Sequence, residues 1–189
     1  PIVPQTPGGA TDVFARAIGQ KLSERWGQAV VVENRAGAAG VVGTDAVAKA
    51  APDGYTLLVT YAGSQAINPA LYPKLPFDSI ADFQPVATLA QTPFVLVARA
   101  DYPAKDMATF IKTAHDAPNP PTFASSGNAS VNHLLGEMLK MDAGIRFVHV
   151  PYKGISQAIT DLLGRQVDFA FTSVPSVLQT IKGGQLRAL

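Results

Sequence analysis

The sequence predicts an α/β fold in two lobes, on three observations. Short apolar runs rich in β-branched residues recur along the 189-residue chain, patterns with helical spacing lie between several of them, and Gly, Pro, Asn and Asp punctuate the boundaries. Strands alternating with helices build βαβ units, and these imply a parallel or mixed sheet covered by helices on both faces.

In chain order, Pro1-Ile2-Val3-Pro4 reads as the end of a buried strand. Val13, Phe14, Ala17, Ile18, Leu22 and Trp26 form an apolar stripe at helical spacing, and a strand is expected at 29–33. Gly37, Gly40 and Gly43 would let a helix over 41–50 begin close against a strand. Strands follow at 56–60 and Phe94–Arg99, and the pattern breaks at Ala100-Asp101-Tyr102-Pro103, which sets the expected lobes at 1–100 and 101–189. A helix over 106–115 leads into Asp-Ala-Pro-Asn-Pro-Pro-Thr at 116–122, too proline-rich for regular structure. Strands at 122–124, 147–150 and 167–171 then alternate with helices carrying Leu134, Leu135, Met138 and Leu139, with 156–163, and with Val174–Lys182. The final Gly183-Gly184-Gln185-Leu186-Arg187-Ala188-Leu189 reads as a helix stop, a turn and the opening of another strand. Both ends read as interior to a longer chain.

Composition removes several functions. Fifteen Lys+Arg against 14 Asp+Glu, with 15% charged residues, gives no excess positive field for nucleic acid. No apolar run approaches the roughly 18–20 residues that span a bilayer, so the chain is not expected to be membrane-embedded. Zero cysteines removes disulfides, thiolate nucleophiles and Cys-based zinc sites. No two His residues stand at i, i+4 and the carboxylates are scattered, so neither a metal nor a cofactor is expected.

Three strand-to-helix loops carry the candidate chemistry. In the first, Pro7-Gly8-Gly9-Ala10-Thr11-Asp12, the glycines admit close backbone approach, and Thr11 or Asp12 would cap a helix whose first amides attract an anion. The same glycines would equally serve a plain turn. In the second, Ser125-Ser126-Gly127-Asn128-Ala129-Ser130, neutral donors would wrap a carboxylate, while Asn128 or Ser130 alone would also serve as a helix cap. The third, Tyr61-Ala62-Gly63-Ser64-Gln65, follows a strand where an open sheet places its crevice, and Ala62, Gly63 and Ser64 make room there.

Catalytic readings are weaker. Ser125 and Ser126 lack the Gly-x-Ser-x-Gly elbow, His115 sits among charged helix residues, and His149 alternates within a strand. A serine hydrolase using Ser126 or Ser125 with His133, oriented by Asp12 or Asp168, stands as the alternative enzyme reading. The glycines at 37, 40 and 43 do not match a dinucleotide fingerprint, and no Gly-Lys-[Ser/Thr] occurs.

Taken together, Pro7 to Asp12, Val31-Val32-Glu33-Asn34-Arg35-Ala36-Gly37, Ala51-Pro52-Asp53-Gly54-Tyr55-Thr56-Leu57-Leu58 and Ile67-Asn68-Pro69-Ala70-Leu71-Tyr72 form a specific set. It continues with Phe123 to Asn128, Val148-His149-Val150-Pro151-Tyr152-Lys153-Gly154, and the last seven residues. The chain resembles, end to end, the substrate-binding receptors of tripartite tricarboxylate transporters, the Bug family. The resemblance implies a type II periplasmic binding-protein fold, two lobes about a ligand cleft, and a first lobe left incomplete here, with the end of the chain heading back toward it and continuing past Leu189 to complete it. It implies export by a signal peptide absent from this chain, a periplasmic location, a small carboxylate ligand and delivery to a membrane permease. It assigns ligand contacts to 7–12 and 125–130, often through bridging water, with Ala62 and Gly63 as a third contact. Two departures bear on specificity. Gln5 stands where many relatives have an aromatic ring. Thr172-Ser173 stand where some amino-acid binders carry an Asp, which favours a plain mono- or dicarboxylate. A ligand sensor for a signalling partner would use the same trap.

Overall fold

Side chains on successive strand residues point to opposite faces, and a strand has two hydrogen-bonding edges; both facts organise this chain. A computed structural model describes residues 1–189 and divides them into two units, Pro1–Gln91 and Thr92–Leu189.

In the first unit, β1 (Ile2–Val3) pairs in parallel with β2 (Glu33–Asn34). Ile2 also bonds with the 57–59 stretch, its N–H donating to the Leu57 carbonyl at 2.7 Å and its carbonyl accepting from the Val59 N–H at 3.0 Å. The runs expected as strands at 29–33 and 56–60 therefore shrink to Glu33–Asn34 and a single parallel bridge, Ile2 to Leu58. Between β1 and β2 runs α1 (Ala10–Trp26), which ends on Gly27 at φ 63. Its buried face is not the expected stripe: Asp12, Ala15 and Gly19 are buried, whereas Val13 and Trp26 are more than half exposed. The approach at Gly19 is close, a Cβ there lying 3.2 Å from Val32 Cγ2, tighter than an ordinary contact.

A 3₁₀ turn over Ala38–Gly40 opens α2 (Val41–Ala48). Here the glycine expectation holds: a Cβ on Gly43 would stand 2.6 Å from the Arg35 carbonyl oxygen and 2.7 Å from Pro4 Cα. After the 57–59 stretch, a π-helical turn, Gly63–Ile67, runs into α3 (Asn68–Leu71), neither of which the sequence pattern announced.

The second unit is a five-stranded mixed sheet. Its strands are β3 (Phe94–Arg99), β4 (Thr122–Ser125), β5 (Val148–Pro151), β6 (Phe169–Ser173) and β7 (Leu186–Ala188), in the order β5-β4-β6-β3-β7. Strands β4, β5 and β6 are parallel, while β3 is antiparallel to both β6 and β7. Because β3 pairs along most of its length with β6, it belongs with this sheet, and the boundary between units falls at 91/92, ahead of the expected 100/101.

The helices are α4 (Met107–Asp116), α5 (Val131–Ala143), α6 (Ile155–Leu163) and α7 (Val174–Lys182). Alternation along the strands feeds two cores. Leu96, Ala98, Phe123 and Phe169 pack with Phe110 and Ala114 of α4 and with Ile145 and Phe147. Val97, Ala124 and Ala170 pack with Ala158 and Leu162 of α6 and Val177 of α7. This is the helix-sheet-helix layering expected from sequence.

Candidate functional site

In the first unit, the loop after β1 leads into α1, and Gly9 is the N-cap, with extended backbone at φ −76 and ψ 165 and no side-chain cap. The expected cap by Thr11 or Asp12 is corrected. Asp12 is only 3% exposed, and its carboxylate turns inward to accept from the Gly8 N–H at 2.9 Å, Arg16 Nε at 3.1 Å and Asn34 Nδ2 at 2.9 Å. Asn34 also donates to the Gln5 carbonyl at 3.1 Å and accepts from Arg16 Nη2 at 2.8 Å. One buried carboxylate thus ties the glycine loop, the helix and β2 together, holding Gly8 at φ 85. Pro7 and Gly8 lie exposed and Thr11 half-buried beside the helix opening, whose first amides have no intrahelical acceptor.

Burial by itself would push the Asp12 carboxyl up, but the hydrogen bonds from Arg16, Gly8 and Asn34 and the Arg16 charge outweigh it and hold it below the usual range. A depressed carboxyl contributes stability that is present above the unfolded-state range and is lost as pH falls through the folded value. Asp12→Asn should therefore cost about 1.5–3 kcal/mol at neutral pH, the worth of a hydrogen bond to a charged group. The difference from wild type should shrink on acidification. Urea unfolding followed by Trp26 fluorescence across pH checks both, Trp26 being the single tryptophan and part of α1.

Around the third loop, Ser64 is fully buried and its hydroxyl bonds Thr60 Oγ1. Tyr61 donates its hydroxyl to the Ala39 carbonyl at 3.0 Å, as does Asn68 Nδ2 at 3.0 Å. Burial pushes the Tyr61 phenol up to about 12. A Cβ on Gly63 would run into the Tyr61 ring at 2.3 Å. Ala62 is exposed, whereas Gly63 and Ser64 are interior.

In the second unit, the carboxyl ends of the three parallel strands share one edge of the sheet, and each feeds a helix. β4 ends at Ser125 and leads to Ser130, the N-cap of α5, whose hydroxyl accepts from the His133 N–H at 3.2 Å. β5 ends at Pro151 and leads to Gly154, the N-cap of α6. β6 ends at Ser173, itself the N-cap of α7, with its hydroxyl 2.8 Å from that of Ser176. The opening of α6 was not singled out in the sequence, although Pro151-Tyr152-Lys153-Gly154 repeats the pattern of a strand, a glycine and a helix.

Within 125–130, most hydroxyls serve the loop itself. Ser125 is fully buried, with its Oγ 2.6 Å from His149 Nε2 and accepting from the Gly127 N–H at 3.1 Å. Ser126 donates to Asn132 Oδ1 at 2.6 Å, and Asn132 donates to the Phe171 carbonyl at 2.6 Å, joining the loop to β6. Ser130 donates to the Gly127 carbonyl at 2.7 Å, and the Ala129 N–H donates to His133 Nδ1 at 3.1 Å. Gly127 at φ 121 and Ala129 at φ 63 carry the sharp turn. Asn128 is exposed at its tip. Thr172 Oγ1 is buried without a hydrogen-bond partner.

The hydrolase constellation does not assemble. Ser126 bonds Asn132 and not His133, and the serine that does meet a histidine is buried Ser125, paired with His149. Asp168 lies at the amino ends of the strands, where it accepts from the Thr122 N–H at 2.8 Å and hydroxyl at 2.9 Å and pairs with Arg99. Asp12 is committed to Gly8, Arg16 and Asn34.

Known proteins share this architecture. A solved periplasmic transporter superposes with a TM-score of 0.96 at 44% identity over 100% of this chain and 63% of its own. An R. palustris protein with adipate gives a TM-score of 0.95 at 33% identity over 100% of this chain and 63% of its own. MatC from Rhodopseudomonas palustris, with bound malate, gives 0.90 at 32% identity over 99% of this chain and 64% of its own. In sequence, the UPF0065 protein in the tcbD-tcbE intergenic region of a Pseudomonas species is 43% identical over 100% of this chain, and BugT of Bordetella pertussis 41% over 100%. The chain spans 56% and 58% of those two relatives. The fold is of the periplasmic binding-protein class. Residues 14–189 match the tripartite tricarboxylate transporter family receptor, TctC, and the chain belongs to that family.

Proposed function

We propose that this chain is the ligand-holding part of an exported solute receptor that traps a small mono- or dicarboxylate and presents it to a tripartite tricarboxylate permease in the membrane. The observation that carries the reading is the 125–130 loop: its turn is closed by its own side chains, and neutral groups open α5 at the sheet edge where β6 also ends. Carboxylates are well held by such donors, since an anion gains from oriented amides and a helix start without a buried cation opposite it. In the first unit, the loop at 7–12 carries a similar device of its own, built on Gly9 and braced by Asp12.

The chemistry of relatives agrees, adipate and malate both being dicarboxylates. Thr172-Ser173 place hydroxyls and no carboxylate at the end of β6, which suits a ligand without an ammonium group. The receptor works by binding alone, without a cofactor, and in the periplasm.

Titration calorimetry of the full-length protein with adipate, malate and short monocarboxylates tests this. A one-to-one heat of binding with at least one of them is expected, and silence across the panel would overturn it.

A further inference from the structure

Beneath the 125–130 loop lie two histidines that the proposed binding reading does not use. The rings of His133, on α5, and His149, on β5, stack with centroids 4.1 Å apart at 16°. Each meets the loop at a nitrogen. His133 Nδ1 takes the Ala129 N–H, so in its neutral form this ring carries its proton on Nε2.

The His149 tautomer follows from counting acceptors. The Gly127 carbonyl already receives the Ser130 hydroxyl at 2.7 Å and the Ser130 N–H at 3.3 Å. Were His149 Nε2 to donate to Ser125, the Ser125 hydroxyl, which lies 3.1 Å from that same carbonyl, would give its proton there as a third donor. With His149 Nε2 accepting, Ser125 donates to the ring and accepts from the Gly127 N–H, and the Gly127 carbonyl keeps its two donors from Ser130.

We infer that His133 and His149 are positioning residues that brace the loop as hydrogen-bond acceptors, and that solute affinity collapses on acidification because neither ring can accept once it is protonated. The inference rests on the reading of 125–130 as a carboxylate loop. Protonating His133 takes the acceptor from the Ala129 N–H, at a residue with positive φ. Protonating His149 reverses the Ser125 hydroxyl and crowds Gly127.

The charged surroundings of His149 are few. Burial holds its titration below the ordinary histidine range, with the His133 ring acting in the same direction, Glu137 opposing and Lys140 assisting. Glu137 is itself paired with Lys140 at 3.2 Å and lies 3.9 Å from His133 Nε2. A ring that must stay neutral contributes fully above its titration range, and the contribution is lost as pH falls through it.

Two measurements on the full-length protein test this. Nitrogen-15 NMR of the free protein should find His149 protonated on Nδ1 and His133 on Nε2 at neutral pH, with the Gly127 and Ala129 amide resonances moving as the rings titrate. The opposite tautomers, or amides that ignore the titration, overturn the inference whether or not a solute binds. Adipate affinity should hold level at neutral pH and fall as pH is lowered through the His149 titration, below the ordinary histidine range. His149→Phe keeps a ring against His133 but removes the acceptor, and should bind about tenfold more weakly at neutral pH with a shallower acid limb. An unaltered pH profile in that variant overturns the inference. Absence of adipate binding at every pH counts against the binding reading alone, leaving the NMR result to decide the bracing.

Discussion

Phe169→Ala is expected to destabilise the second unit by about 3–5 kcal/mol, the range for emptying a large aromatic from a closed core. Phe169 is fully buried on β6, flanked by Phe123 of β4 and Ala98 of β3 in register. Its ring sits 4.9 Å from that of Phe110, 5.2 Å from that of Phe123 and 5.5 Å from that of Phe147. The four rings come from three strands or strand approaches and from α4, so no single neighbour can move in to fill the space. Edge-to-face geometry with Phe110 and Phe147 adds to the loss beyond area. Thermal unfolding followed by far-ultraviolet circular dichroism measures it. A shift equivalent to less than about 1 kcal/mol would show that this cluster relaxes and does not organise the sheet.

That cluster also explains which parts of the fold could be read from sequence. Strand Phe94–Arg99 and helix Val174–Lys182 appear where expected because their apolar patterns and their end signals agree. α1 was legible as a helix but not in its orientation. Periodicity ranks residues by hydrophobicity, whereas the contact at Gly19 and Val32 selects by size, and Asp12 is tolerated inside because three donors meet it. The π-helical turn at Gly63–Ile67 sits where the Tyr61 ring leaves no room for a Cβ on Gly63 and where Tyr61 and Asn68 both bond the Ala39 carbonyl, contacts that have no local sequence signal.

The site divides in the same way. The serine loop and the glycine loop were legible as strand-to-helix connections with donors. His149 was not: it reads as one more alternating strand residue, and its meeting with Ser125 depends on β4 and β5 pairing with Phe123 opposite His149 and Ser125 opposite Pro151. Strand register between distant segments is set by packing, so the sequence points to the nearer candidate, His133, while the partner of Ser125 comes from the neighbouring strand.

Gly9→Val is expected to weaken carboxylate affinity by at least about 100-fold, or roughly 2.7 kcal/mol, while leaving the fold intact. The two halves of that statement have separate causes. Gly9 holds φ −76, a region open to any residue, so a side chain there meets no intrinsic backbone penalty. Gly8, by contrast, sits at φ 85, where a Cβ adds strain of about 1–2 kcal/mol before any ligand is considered. Gly9 is buried, but of the two glycines it is the one where a side chain adds no backbone strain. A β-branched side chain at the N-cap crowds those amides, and it removes the close approach that an anion needs to gain from several donors at once. Gly9→Ala should fall between wild type and Gly9→Val, because one methyl restricts the approach less than an isopropyl group. Calorimetry with adipate and malate, paired with thermal unfolding of each variant, separates blockage from unfolding. Wild-type affinity in Gly9→Val would remove the 7–12 loop from the site, and a graded loss at constant stability would place the carboxylate at the opening of α1.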